Sequence, residues 1–179
     1  MRLSPAVPVR LETIDPWREH VAALGAAAGL RHEPRAEVVL HVTDLPGDCS
    51  SSDPWVVASR PHLTVVAAPD AVRVGPFVVP GLTACLRCVR AWLEDPLAPD
   101  PPGRAAPVAG PGVDAGLLAV ALGWAARDVA TWVRGGTPST WSATVTAGAD
   151  LRPAVRAWHR HPHCGCSWGL DWSDAGQAV

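Results

Sequence analysis

The chain has 179 residues, of which 48% are hydrophobic, and its formal net charge is −2. This length is enough for one hydrophobic core and short for two, so we expect a single soluble domain. The basic residues, all of them Arg, are slightly outnumbered by the acidic ones. Binding to nucleic acid or to an anionic membrane requires clustered basic residues, so neither partner is expected.

The sequence also indicates the compartment. It contains no run of about 18 apolar residues, so no transmembrane helix is expected. The first ten residues include Pro5 and Pro8 and no apolar core segment, which is not the pattern of a signal peptide. We therefore expect a cytoplasmic chain, and in a reducing compartment an odd number of cysteines favours metal-bound or free thiols over disulfides.

The first predicted helix begins at Asp15 and Pro16, a pair typical of an N-cap and a first turn, and it ends at Gly29. Residues 38–42 form a short apolar run that predicts a strand buried on both faces. Asp44 follows this strand, at the end where α/β sheets usually place their chemistry.

The middle of the chain is predicted to be mostly extended, after a loop over residues 46–54. Short strands are expected at residues 55–58, 63–67 and 72–79. A short helix is expected to end before Pro96. Six prolines lie between positions 96 and 111, so we predict a mobile crossover loop over residues 95–112.

The last third of the chain begins with the most apolar predicted element. Residues 113–134 predict a long core helix that stops at Gly135 and Gly136. Alternating residues from position 141 onward predict an antiparallel strand, with a partner at residues 155–157. We predict one domain over residues 1–172 and a disordered tail over residues 173–179.

Four of the five cysteines form two pairs, Cys85 with Cys88 and Cys164 with Cys166. These spacings are typical of turns that direct two thiolates to one metal ion, and two such pairs complete a closed tetrahedral Zn²⁺ site with Zn–S bonds of about 2.3 Å. A closed site has no open position for water, so the expected role of zinc is structural. A reactive dithiol, a disulfide and unrelated buried thiols are the alternatives.

Other side chains near the second pair leave the ligand set open. His159, His161 or His163 could each replace one thiolate as a metal ligand, or the three could form a solvated loop around the site. Cys49 is predicted to be a simple loop thiol, because no helix N-terminus or basic partner that would lower its pKa is visible in the sequence.

Nucleotide-binding motifs are absent from the sequence. It contains neither G-x-G-x-x-G nor G-x-x-x-x-G-K-[ST], and it contains no Lys, the usual point charge for a β or γ phosphate. Asp44 is the only strand-end carboxylate placed where catalysis would require one, and the alternative is that it caps the next turn.

Three segments together resemble a known family: E-V-V-L-H-V-T-D at 37–44, V-G-P-F-V-V-P-G-L-T-A-C-L-R-C at 74–88, and H-P-H-C-G-C at 161–166. In this order, with the proline-rich crossover and the long helix between them, they resemble the ThiF-like, ubiquitin-activating-enzyme-like fold. The closest branch contains the partner proteins of YcaO-type cyclodehydratases, which help to make azoline-containing and thiopeptide-like ribosomal natural products.

The resemblance implies a truncated Rossmann-like mixed sheet with flanking helices and a structural zinc held by Cys85, Cys88, Cys164 and Cys166. It also implies cytoplasmic assembly with a YcaO-type or other peptide-modifying enzyme, with a precursor peptide, or with a second copy of the chain. Asp44 matches the strand-end Asp that helps to bind Mg²⁺ and nucleotide in active relatives.

The chain also departs from the family pattern. We expect no counterpart here of the N-terminal strand, glycine loop and helix that bind ATP in adenylating relatives. We also expect no counterpart of the leader-recognition domain. ATP and Mg²⁺ binding is therefore not expected for this chain alone. The first hypothesis is a non-catalytic zinc scaffold in a peptide natural-product pathway. The alternatives are an adenylating or cyclodehydratase component whose nucleotide site another chain completes, and an unrelated zinc-ribbon-like binding module.

Overall fold

The computed structural model describes residues 5–45, 49–95 and 112–167. A mixed seven-stranded sheet has the order β2-β1-β3-β4-β5-β6-β7. The strands are β1 (Val7–Thr13), β2 (Leu30–His32), β3 (Val39–Thr43), β4 (His62–Ala67), β5 (Ala71–Val78), β6 (Ala143–Gly148) and β7 (Ala154–Ala157). The helices are α1 (Arg18–Ala27), α2 (Asp53–Val57), α3 (Leu86–Glu94) and α4 (Ala115–Val133). Strands β1 to β4 are parallel and β5 to β7 are antiparallel, which confirms the predicted α/β class with a Rossmann-like mixed sheet.

The N-terminal segment forms a strand–helix–strand unit. Strand β1 pairs with β2 on one side and with β3 on the other, parallel to both. The expectation that the N-terminal strand and helix of ThiF-like relatives have no counterpart is therefore wrong. The connection between β1 and α1 is a short turn through Asp15, Pro16 and Trp17 and contains no glycine, so the expected absence of a glycine loop holds at this position.

Most of the other predicted elements are present. The predicted strand at residues 55–58 is wrong, because Asp53 and Pro54 begin helix α2 there and proline is well suited to the first turn of a helix. The strands at 63–67 and 72–79, the helix before Pro96 and the strand pair β6–β7 are confirmed. The predicted crossover loop lies outside the described residues apart from its two ends, and so does the whole predicted tail.

Helix α4 covers one face of the sheet, as predicted for the central core helix. Its buried face includes Leu118 and Leu122, which are 1% and 0% exposed. Burial of a leucine side chain stabilises the fold by about 1.5–3 kcal/mol. Within the described part of the chain, α4 is the one helix long and apolar enough to cross a membrane by length and composition, and half of its most apolar window is buried inside the fold. That burial is expected of a core helix.

A buried carboxylate joins the end of α4 to the chain that follows it. Asp128 is 2% exposed, and its two carboxylate oxygens accept hydrogen bonds from the backbone N–H and the hydroxyl of both Ser139 and Thr140. The donors lie 2.5–2.9 Å from these oxygens. Hydrogen bonds to an ionised acceptor are the stronger kind, so Asp128 holds the chain that leads into β6.

The opposite face of the sheet is unusually polar for a buried surface. Side chains alternate between the two faces of a strand, and the residues that alternate with the apolar core positions of β3 to β6 include many buried polar ones: His41, Thr43, His62, Thr64, Arg73, Thr144 and Thr146. Trp55 of α2 covers part of this face, with its ring 5.3 Å from that of His41 and 5.4 Å from that of His62.

Protonation of His62 is expected to destabilise the fold. Burial lowers its pKa to about 4, against the weaker opposing effect of a hydrogen bond between Nδ1 and the carbonyl of Arg60. The unfolded chain takes up the proton near pH 6.5, so His62 costs stability as the pH falls from 6.5 towards 4, by up to about 3 kcal/mol. Urea unfolding of the wild type at pH 7 and pH 5 measures this loss.

The His62→Gln variant isolates this contribution from that of the other titrating groups. We expect its free energy of unfolding to fall less than that of the wild type between pH 7 and pH 5. His20→Gln, at an exposed position of α1, is the matched control and is expected to keep the wild-type dependence. Equal pH dependence in all three proteins would contradict the prediction.

Candidate metal centre

The first cysteine pair lies at the start of α3. Cys85 has an extended backbone and is the N-cap residue of the helix, and Cys88 follows in its first turn. The chain reaches this point through a tight turn after β5, in which the hydroxyl of Thr83 accepts a hydrogen bond from the N–H of Val79. Both thiols are buried, with Cys85 3% and Cys88 0% exposed. The helix start therefore holds two sulfur atoms on one side of a rigid element.

The second pair follows β7 and reaches the same place from the other end of the fold. The backbone N–H of Cys164 donates to the carbonyl of His161, and a single 3-10 turn, Gly165–Ser167, contains Cys166. Cys164 is buried and Cys166 is half-buried. The two pairs, almost eighty positions apart in sequence, thus lie side by side.

The four sulfur atoms form one compact cluster. The Sγ atom of Cys85 lies 3.7 Å from that of Cys88 and 3.6 Å from that of Cys164, and the Sγ atoms of Cys88 and Cys166 are 3.3 Å apart. All four lie within 4.8 Å of one another. Four thiolates at about 2.3 Å from a tetrahedral Zn²⁺ would have their sulfurs about 3.8 Å apart, whereas disulfide sulfurs lie at about 2.05 Å. The donor set and its spacing fit a tetrahedral metal ion.

Electrostatics within the cluster also favour a cation. The hydrogen bond with Cys166 is the largest cause that raises the pKa of the Cys88 thiol, to about 12. The pKa of Cys85 is raised as well, first by Cys166, then by Cys88 and by burial. Thiolates bind metal ions in the deprotonated form, and a divalent cation at the centre would offset their mutual repulsion.

Neighbouring histidines lie outside the sulfur cluster. Among the described residues, the set of metal-ligating atoms at this site contains four cysteines and no histidine. The Nδ1 atom of His161 accepts a hydrogen bond from the N–H of His163, and its ring packs edge-on against Trp92 at 4.7 Å. The structure therefore favours the four-cysteine alternative. Cys49, predicted as a simple loop thiol, lies in the loop before residue 50 and is buried, at 5% exposure.

Two residues that sequence analysis did not identify connect the cysteine segments. Arg160 donates from its guanidinium to the carbonyl of Gly81, at 2.7 Å, and to that of Cys166, at 2.6 Å. The Ser142 hydroxyl accepts from the N–H of Ala84, and its carbonyl accepts from the N–H of Trp158. Neither residue belongs to a motif, because each acts only through contacts with distant parts of the sequence.

Asp44 lies directly after β3 and is half-buried. The neighbouring parallel strands β1 and β4 end on the same side of the sheet, at the edge where open α/β sheets bind ligands. Within the described part of the chain, no hydrogen bond or ion pair involves its carboxylate. The structure thus places Asp44 at the carboxyl edge of the parallel strands, and the cysteine cluster does not include it.

Comparison with solved structures identifies the fold. The chain is similar to the heterocyclase TruD, with a TM-score of 0.66 and 21% identity over 90% of this chain and 27% of that one. A heterocyclase in complex with substrate and cofactor has the same TM-score and 17% identity, over 90% of this chain and 25% of that one. Escherichia coli MccB follows with a TM-score of 0.56 and 20% identity, over 75% of this chain and 40% of that one. No protein-family model and no curated protein matches the sequence.

These similarities confirm the resemblance that the motifs predicted, since the chain has the ThiF-like fold of these proteins. It spans about a quarter of the length of the two heterocyclase chains and two fifths of the length of MccB. At these identities the comparison establishes the fold alone.

Proposed function

We propose that this chain is a zinc-stabilised, non-catalytic scaffold in the biosynthesis of a ribosomally made, post-translationally modified peptide. The observation that carries the proposal is the closed cluster of four cysteines in a fold without a glycine loop between β1 and α1. Such a cluster fits Zn²⁺ and has no position for a reacting water. Its role is to join α3 to the segment after β7 and so to maintain the shape of a binding surface.

The proposed partners are a YcaO-type or other peptide-modifying enzyme, the precursor peptide, or both. TruD is a heterocyclase, and MccB is a microcin C7 biosynthetic enzyme whose structure was determined in complex with N-formylated MccA. The shared fold supports a place for this chain in the same kind of pathway, and we propose that it acts in the cytoplasm. A docked scaffold acts by holding its partner in the productive geometry, which lowers the entropic cost of binding.

Co-purification tests the proposal directly. The tagged, zinc-loaded chain is expected to co-elute in gel filtration with the YcaO-type enzyme or with the precursor peptide of the same source. The Cys85→Ser/Cys164→Ser double variant is expected to lose this co-elution, because its binding surface is no longer held together. If the wild-type chain retains neither protein nor peptide, the scaffold proposal is wrong.

A second candidate is an adenylating component whose nucleotide site a partner chain completes. The position of Asp44 at the carboxyl edge of the parallel strands favours it, and one MccB structure contains ATP. Calorimetric titration with Mg-ATP, with and without the partner enzyme, distinguishes the two. Binding by the wild type that is lost in Asp44→Ala would support the second candidate, and absence of binding in both conditions would support the scaffold.

A further inference from the structure

Arg73 of β5 is the only arginine in the described part of the chain that is buried, at 9% exposure. Its strand neighbours are Val66 on β4 and Thr146 on β6. No hydrogen bond or ion pair joins its guanidinium to any residue that the structure describes. An arginine side chain remains charged at any physiological pH, so Arg73 brings into the fold a positive charge that no ion pair with a described residue matches.

The surroundings of Arg73 are built from buried polar groups, one of which lacks a hydrogen-bond partner. Thr64, on the same face of β4, has a hydroxyl oxygen that is sealed from solvent and has no hydrogen-bond partner among the described residues. Thr43 and Thr146 are buried in the same row of the sheet. Burial lowers the pKa of Arg73, and the nearby Cys49 thiol acts weakly in the opposite direction. Unpaired buried polar groups cost free energy, so each one in a native structure needs an explanation, and a bound ion or water is one such explanation.

Charge balance indicates what that partner is. Arg87 and Arg90 on α3 also interact with Cys49, but Arg87 forms an ion pair with Asp53, and Arg90 forms one with Glu94. Arg73 therefore carries the one unmatched positive charge in this group. A single charge is matched by a monoanion, and a carboxylate accepts both prongs of a guanidinium in a planar, bidentate geometry.

We propose that Arg73 is the charged element of a buried site for one carboxylate group at the carboxyl edge of the parallel strands. Thr43, Thr64 and Thr146 offer hydroxyl groups to the same ligand. The identification of the ligand as a carboxylate of a peptide, rather than of a small free acid, rests on the proposed function. The site is separate from the cysteine cluster and needs no metal.

The test compares thermal unfolding of the zinc-loaded full chain in sodium acetate and in sodium chloride, each at about 0.1 M so that ionic screening is equal. Acetate is expected to stabilise the wild type. At ten times its Kd it lowers the apparent unfolding equilibrium constant about eleven-fold. Acetyl-aspartyl amide is the peptide-like probe, and a stronger effect than that of acetate identifies a peptide carboxylate as the source.

The Arg73→Met variant separates binding from a structural role. It keeps an unbranched, flexible side chain of somewhat smaller volume and removes a buried charge that has no ion-pair partner among the described residues, so in chloride it is expected to be at least as stable as the wild type. It is also expected to lose the response to acetate. Arg152→Met, at an exposed position, is the matched control and keeps that response.

Several results would overturn the carboxylate site. They are an equal response to acetate in the wild type and Arg73→Met, no response in the wild type, a stronger response to inorganic phosphate than to acetate, or a marked loss of stability in Arg73→Met. If that variant does not fold, the arginine Nε–H signals of the wild type are followed by NMR during acetate titration, and absence of any shift overturns the proposal. These measurements need no partner protein. The carboxylate site can therefore be disproved while co-elution with an enzyme supports the scaffold, and the scaffold can be disproved while acetate binding is observed.

Discussion

The Cys85→Ser/Cys164→Ser double variant is expected to purify without bound zinc and to unfold at a much lower temperature than the wild type. Together the two substitutions remove one ligand from each cysteine pair, and the remaining two thiols cannot close a tetrahedral site. Structural zinc sites in peptides bind with about 10–16 kcal/mol at neutral pH, which is comparable to the whole stability of a domain, about 5–15 kcal/mol. The expected loss is therefore several kcal/mol. Metal content by mass spectrometry and thermal unfolding by circular dichroism measure it.

Cys49→Ser is the matched control for this experiment. Cys49 is also buried but does not belong to the sulfur cluster, so its variant is expected to retain one zinc ion per chain. A chelator should then destabilise the wild type and Cys49→Ser and have little effect on the double variant. The metal assignment is wrong if the wild type contains no zinc after purification in a zinc-containing buffer. It is also wrong if the double variant contains as much zinc as the wild type.

The Asp128→Ala variant is expected to lose about 3–5 kcal/mol of its free energy of unfolding. The substitution removes the acceptor of four hydrogen bonds. It leaves the buried N–H and hydroxyl of Thr140 without a partner, and each unsatisfied buried group costs about 1–3 kcal/mol. The loss should not change metal content, because Asp128 acts on the connection between α4 and β6 and not on the cysteine segments. Urea unfolding followed by tryptophan fluorescence measures it.

Two further variants calibrate the Asp128 prediction. Asp128→Asn is expected to lose less than Asp128→Ala, because an amide keeps one acceptor oxygen, although its NH₂ group then faces the donors of either Ser139 or Thr140. Glu19→Ala, at an exposed position in the first turn of α1, is the control and is expected to change stability by less than about 0.5 kcal/mol. A loss below 1 kcal/mol in Asp128→Ala would show that water satisfies the donors.

Local patterns predicted the elements whose cause is local. Helix α4 was predictable from apolar residues at helical spacing and from the glycines after it, and β6 from strict alternation. Strand β1 was missed although Val7, Val9 and Leu11 alternate, because Pro8 lies among them and proline argues against a strand. Helix α2 was predicted as a strand because Trp55 and its valine neighbours favour extended structure, and the Asp-Pro start outweighed that preference.

In the candidate site, too, some features follow from local sequence and others depend on the whole fold. The sequence by itself determined which thiols can act as pairs, because residues one turn apart share one side of a helix start or a tight turn. Only the tertiary structure decided that the two pairs meet, that His161 packs on Trp92 and away from the sulfurs, and that Arg160 and Ser142 connect the segments. It also decided that Arg73 is buried and forms no ion pair with a residue that the structure describes. Short-range spacing determines local geometry, whereas burial and pairing depend on which distant strands the sheet brings together, and that is a property of the whole fold.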